Sequence, residues 1–274
     1  MGLILTRQWT RQPPNTVQID TSVWPGSTMT ILPSLARAGV IGEVSSFSAA
    51  NANGAIFSNV GLAGLSLGYR VNSSTAPGEC FTWTTGEYDA GPDTSAIAVL
   101  AQTDFSYPAQ ILYGGASAWG LMFAMGYSSA VAKYVDNPTS ASYSTTMTGL
   151  SQIVGRFYVI GAVKKGNTIS LFFKGQKTST TGGNGGLRRA AGSGFGNDII
   201  DGSYGYGKAA LISMTSSVLS DGAMFRLLEN PWKIFAPRRI IIPTAIASTL
   251  PTLSAPSYTS ITTVGATPRV NYAY

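Results

Sequence analysis

Apolar and polar positions along this chain fall into many short runs rather than a few long ones. Apolar or alternating stretches recur at Ala55–Val60, Leu65–Val71, Cys80–Thr84, Ala96–Gln102, Gln110–Tyr113, Gly120–Met125, Phe157–Lys164, Thr168–Lys174 and Ala209–Thr215. Gly, Pro, Asn and Ser punctuate them, and short runs bounded by turn residues predict the strands of a β-sandwich or barrel. In FYVIGAVKKGNTISLFFKGQKTS, 157–179, two strands flank Lys165-Gly166-Asn167. Gly166 and Asn167 are expected to supply the positive φ of a tight hairpin. Alternation in the second strand puts Ile169, Leu171 and Phe173 on one face, toward a core. Lys174-Gly175-Gln176 makes the next turn.

The one helical pattern runs through LSDGAMFRLLENPWKIFAPRRIIIP, 219–243. Ser220 or Asp221 can cap a short helix near 220–229, and Met224, Phe225, Leu227 and Leu228 give it an apolar face. Asn230-Pro231 stops it, because proline cannot continue a helix. Trp232 and Phe235 follow as an aromatic plug, with a basic-then-apolar strand behind them.

Outside this pattern, residues 1–26 read as an extended arm carrying Trp9, Pro13-Pro14, a short strand TVQID at 16–20, and Trp24-Pro25-Gly26. Residues 27–243 form the β-domain. Residues 244–274 read as a second arm, rich in Ser, Thr and Pro and ending in the strand-like PRVNYAY. The Gly-rich stretch 178–208 reads either as an exposed recognition loop or as a connector whose glycines allow tight packing.

Composition narrows the function. The chain has 274 residues, 44% of them hydrophobic, enough for a substantial core, but only 11% are charged. An ordinary domain carries about 25%. The neutral, hydrogen-bonding surface that results suits packing against other subunits, and secreted β-proteins and sugar binders share it. The net charge of +6 is spread thinly, with no basic stripe interleaved with aromatics, so nucleic acid is not an expected partner. Histidine is absent and Cys80 is the single cysteine. That excludes a Ser-His-Asp triad, a Cys-His pair, a His-rich metal site and an intrachain disulfide. No apolar run approaches the ~20 residues of a membrane span. The opening lacks a signal-peptide core, so synthesis in a cytoplasm without translocation is expected.

Possible chemistry is sparse. Glu79, Glu87, Asp89 and Asp93 cluster, and Glu87 and Asp89 would share a strand face, a legal arrangement for a glycosidase pair, although GEYDAGPD also reads as a turn. Asp198 and Asp201 could offer oxygens to calcium or cap their own backbone. GSGFGN has no helix after it and is not a phosphate cradle. No cofactor or metal is expected. Exposed aromatics among Trp83, Tyr88, Trp119, Tyr204 and Tyr206 could stack on sugar rings.

Two segments carry a resemblance. The hairpin at 157–179 resembles the paired strands of laminin-G-like, concanavalin-A-like jelly-roll domains, where an aromatic followed by Asp-Gly is usual; Phe173-Lys174-Gly175 holds that place. ALISMTSSVLSDGAMFRLLENPWKIFAP resembles their last core strand and small helix. Together with LTRQWTRQPPNTVQID, NPWKIFAPRR and the tail LPTLSAPSYTSITTVGATPRVNYAY, the chain resembles bacteriophage and prophage laminin-G-like virion structural proteins, over both ends and 155–243.

The expected fold is therefore an all-β, two-sheet antiparallel jelly-roll sandwich with one short helix and extended terminal arms. The resemblance implies a non-enzymatic virion protein, in capsid decoration or a tail fibre, assembling with itself and other virion proteins through its arms. TVQID and PRVNYAY are the candidate donated strands. Trp9, Trp24, Trp232 and Phe235, with Arg269 and Tyr272, are the expected interface anchors. The alternative is a host-glycan-binding adhesin on the same sandwich, using Tyr204, Tyr206 and Arg188. A glycoside hydrolase on this fold would need two carboxylates across a groove.

Overall fold

A computed structural model describes residues 3–13, 17–26, 28–32, 51–53, 56–58, 68–72, 80–82, 89–91, 93–102, 109–113, 120–136, 141–182, 187–188, 194–195 and 206–242. In chain order the strands are β1 (Leu3–Arg7), β2 (Thr28–Ile31), β3 (Asn51–Asn53), β4 (Ile56–Ser58), β5 (Gly68–Asn72), β6 (Cys80–Thr82) and β7 (Asp89–Gly91). They continue with β8 (Thr94–Gln102), β9 (Ala109–Tyr113), β10 (Gly120–Met125), β11 (Ala130–Asp136), β12 (Ala141–Met147) and β13 (Tyr158–Lys165). The last are β14 (Thr168–Phe173), β15 (Gln176–Thr181), β16 (Leu187–Arg188), β17 (Gly194–Phe195), β18 (Tyr206–Thr215) and β19 (Arg238–Ile242). One helix, α1 (Asp221–Glu229), and a 3-10 turn, Pro231–Ile234, lie between the last two strands.

The chain forms two compact units, one of Met1–Leu5 with Arg239–Tyr274, the other Thr6–Arg238. Among the described residues the first holds the two-stranded pairing of β1 with β19. The second is a sandwich. One sheet runs β12-β11-β10-β9-β17-β6-β3, the other β15-β14-β13-β8-β18-β5-β4 with β2 added on β18, and the pairings among the described residues are antiparallel. β12 lies against β14 and β15 of the opposite sheet, and Thr145 donates across to Thr178 at 3.0 Å.

Within the second sheet β8 is covered on both faces, which is why it is buried from Thr94 to Gln102 without alternation. The inner face carries Ala98, Leu100, Ile160, Leu171 and Phe173 toward the other sheet. The outer face carries Ile97, Val99, Gly161, Val163 and Phe172. It is roofed by α1, the 3-10 turn and the N-terminal segment, whose Trp9 and Trp24 join Leu227, Trp232, Ile234 and Phe235 in one apolar cluster. Ile169, Leu171 and Phe173 are buried as the alternation predicts. Phe172 is buried as well, since the helix covers the face that alternation alone would leave to water.

Local rules explain the roof. Ser220 caps α1, its side chain accepting from the Ala223 amide at 3.3 Å. Asn230 ends the helix and caps the 3-10 turn by accepting from Trp232 N, while its amide nitrogen donates to Trp9 O at 2.8 Å. Ser95 Oγ donates to Ser217 O and accepts from Leu219 N, so buried hydroxyls of β8 fix the path from β18 into α1.

Two expectations are revised. In the 166–167 turn only Gly166 has positive φ, at 54°. That is the pattern of a II′ turn, which needs it at the first central residue alone. TVQID makes no ladder among the described residues. It contributes a single bridge, Ile19 to Phe235, because its side chains Val17 and Ile19 are used against the roof cluster.

Candidate functional site

The described residues form a cleft of about 500 Å³ at one end of the second sheet, lined by Arg156, Phe157, Tyr158, Val159, Lys174, Gly175, Phe225, Leu228 and Glu229. Three elements meet there: the entry to β13, the β14–β15 turn, and the last turns of α1.

The loop leading into β13 is pinned by its backbone. Leu150 N donates to Ser128 O at 3.0 Å, Gln152 N to Tyr127 O at 3.1 Å, and Gly155 N to Gln102 O at 2.7 Å. The Gln152 side chain is buried and donates to Gly126 O and Ser129 O. Arg156 N closes a turn on Ile153 O, and Ile153 N donates to the Tyr158 hydroxyl at 3.0 Å. Tyr158 is thereby held at its oxygen, and its hydroxyl proton has no acceptor among the described residues.

The β14–β15 connection is a two-residue turn, with Phe173 paired to Gln176. Both central residues have positive φ, 47° at Lys174 and 74° at Gly175, the pattern of a type I′ turn. Gly175 is at home there. Lys174 is the one non-glycine among the described residues with positive φ, a conformation that costs about 1–2 kcal/mol for a residue with a Cβ. Its side chain puts Nζ 4.7 Å from the centre of the Tyr158 ring and donates to Ser151 O at 2.7 Å. Arg156 places its guanidinium carbon 5.7 Å from the same ring. Phe173, fully buried, packs against Tyr158 with ring centres 5.8 Å apart and supports it from behind.

The helix wall is Phe225, Leu228 and Glu229. Phe225 meets the buried Phe172 edge-on at 5.4 Å, which holds the wall to the sheet. Glu229 ends α1, where the helix dipole disfavours a carboxylate by a few tenths to about 1 kcal/mol. Lys174 and Glu229 thus each break a local rule, and both line the same cleft.

The residues singled out in the sequence fall elsewhere. Trp9, Trp24, Trp232 and Phe235 are buried inside this chain, Trp24 and Phe235 completely, and so have little surface to offer a neighbour. Trp9 also donates its indole N–H to Ala236 O at 2.9 Å and is stacked by Arg238 at 4.5 Å. Arg188 and Tyr206 are strand positions, opposite Asp89 and Asn72. Tyr204, Arg269 and Tyr272 lie outside the described residues, as do Trp83, Tyr88, Trp119, Glu79, Glu87, Asp198 and Asp201. The cleft was missed because its members are scattered over seventy-odd positions. The available signal was Arg156 and Tyr158, two apart at a strand entry, with Lys174 in a turn that favours Asn or Gly.

No family model matches the chain, and no curated protein matches it. Among solved structures, the Trypanosoma rangeli sialidase in complex with the inhibitor DANA is similar over 75% of this chain and 33% of its own, at 13% identity and a TM-score of 0.51. The fold is a laminin-G-like, jelly-roll sandwich. The botulinum neurotoxin type G receptor binding domain is similar over 76% of this chain and 51% of its own, at 12% identity and a TM-score of 0.49. For mouse laminin alpha1 chain domains LG4-5 the figures are 56%, 43%, 9% and 0.44. The chain thus spans about half or less of the length of these structures. Among the described residues no helix is long and apolar enough to cross a membrane.

Proposed function

We propose that this chain is a non-enzymatic saccharide-binding module, with the cleft at Tyr158 as its binding site. The observation that carries the reading is the convergence of Lys174 and Glu229, both locally disfavoured, on one pinned and partly apolar cleft. Residues that violate local preferences and are held in place by their surroundings concentrate at functional sites. Val159, Phe225 and Leu228 offer apolar surface for the C–H face of a sugar, and Tyr158, Arg156, Lys174 and Glu229 offer donors and acceptors for its hydroxyls. Such a mixture, mostly apolar with a few polar groups, is what small-molecule sites use. Glu229 is the carboxylate among the lining residues, whereas most glycoside hydrolases work with a pair.

A module of this kind, carried on a phage particle as the sequence resemblance implies, would serve as its host-glycan adhesin. Self-association and contact with other virion proteins belong to the same proposal.

The test is a printed array of neutral and acidic saccharides, probed with labelled full chain. Retention that free saccharide competes away, and that Tyr158→Ala with Glu229→Ala abolishes, is the expected result. No retention, or retention unchanged in that variant, overturns the reading.

A further inference from the structure

We infer that the saccharide bound in this cleft carries an anionic group, a carboxylate or a sulfate, held between Arg156 and Lys174; this rests on the saccharide reading above. Both cations lie within 6 Å of one ring centre, that of Tyr158, so the fold brings two like charges onto the same small area. Among the described residues neither closes an ion pair, in contrast to Lys177, whose ammonium sits 2.8 Å from Asp221. The ring spreads some of that charge, since cations are attracted to an aromatic face, but it accepts no hydrogen bond of carboxylate strength.

Donors are left over. An ammonium has three, and Lys174 commits one to Ser151 O. A guanidinium has five in a fork that matches a carboxylate or sulfate, and the Arg156 side chain commits none to another described residue. Both groups ride on fixed backbone, Arg156 on the pinned loop before β13 and Lys174 on the two-residue turn, so the ordering that binding requires is confined to the side chains.

Glu229 sets the other half of the specificity. A carboxylate on the helix wall repels a small multiply charged anion and accepts hydroxyl protons. The cleft therefore selects a ligand with an anion at one end and hydroxyls at the other, which is an acidic sugar rather than a free anion. The apolar wall of Phe225 and Leu228 gives a sugar ring a surface that an inorganic ion cannot use.

The experiment is calorimetric titration of the full chain with four probes: a neutral galacto-oligosaccharide, an oligogalacturonate, a heparin-derived oligosaccharide and inorganic sulfate. Binding of the oligogalacturonate or the heparin fragment at least tenfold tighter than the neutral sugar is expected. That preference should weaken several-fold between 50 and 500 mM salt. Arg156→Ala and Lys174→Asn should each lower acidic-sugar affinity about tenfold; asparagine suits the turn, so folding is retained and thermal unfolding verifies it. Binding of the oligogalacturonate shows that a carboxylate suffices, and binding of the heparin fragment alone, which carries both groups, assigns the sulfate. Equal binding of the neutral sugar, unaffected by either variant, overturns the anionic assignment and leaves the saccharide module standing. Sulfate binding as tightly as the acidic sugars overturns it in favour of a simple anion site. No binding by any saccharide overturns both.

Discussion

Gly161 and Met224 meet so closely that a Cβ at residue 161 would lie 2.6 Å from the Met224 sulfur. The missing side chain lets α1 settle onto β13, and the same helix supplies the Phe225–Glu229 wall of the cleft. Gly161→Val should destabilise the protein by about 1–3 kcal/mol, the range for overpacking a well-filled core. Met224 is fully buried, so any shift that relieves the clash must repack its neighbours. In a denaturant series, Gly161→Val combined with Met224→Ala should cost clearly less than the two single changes added together, because they share one clash. Strict additivity would mean that the contact does not set the helix height.

Lys174→Asn separates stability from binding. It removes a positive-φ lysine and with it a cost of about 1–2 kcal/mol, and it loses the bond to Ser151 O and the contact with Tyr158, together of similar size. The unfolding midpoint should therefore move by less than about 1 kcal/mol equivalent, while ligand affinity falls. A large loss of stability would show that the lysine is retained for the turn rather than the cleft.

At the start of α1 two surface features can be ranked. Ser220→Ala removes the cap on Ala223 N and should cost about 1 kcal/mol. Lys177→Ala removes an ion pair whose partners are 35% and 56% exposed, and should cost a few tenths of a kcal/mol, shrinking further in salt. Thermal unfolding of both variants at low and high salt gives the order; a reversed order would show that Lys177 matters through its stacking on Phe172.

Asn230→Ala should be the most damaging polar change in the roof, at about 2–3 kcal/mol. It removes the cap on Trp232 and strips the half-buried carbonyl of Trp9 of its donor. Asn230→Asp keeps the cap and loses the donor, so it should fall between wild type and alanine. Tryptophan emission followed through urea unfolding reads both variants, and equal behaviour of the two would assign the whole effect to Trp9.

What was legible in the sequence was local. The helix was readable because its cap, apolar spacing and Asn230-Pro231 stop all lie within a dozen residues. β10 could be bounded to the residue, as GLMFAM between turn signals. β15, QKTSTT, was not readable as an apolar run, because an edge strand with exposed faces is polar; its threonines were the available sign. Trp9 and Trp24 read from the sequence as anchors toward a neighbouring subunit, whereas both are buried within this chain. Their partners stand over two hundred positions away, and no periodicity in a short window encodes that. The cleft failed for the same reason: Tyr158, Lys174 and Glu229 are brought together by topology, and only Lys174 in its turn hinted at it.

The bond from Asn230 to Trp9 spans 221 positions, and that has a consequence during synthesis. Ribosomes add roughly 5–20 residues per second, so about 10–45 seconds separate the appearance of Trp9 from that of the residues that bury it. Throughout that interval Trp9 and Trp24 lack the partners contributed by residues 227–236, and the outer face of β8 lacks its cover. The nascent chain therefore carries a greasy, unroofed sheet until its last fifth emerges, and its yield in a cell should depend on holdase chaperones more than its final stability would suggest.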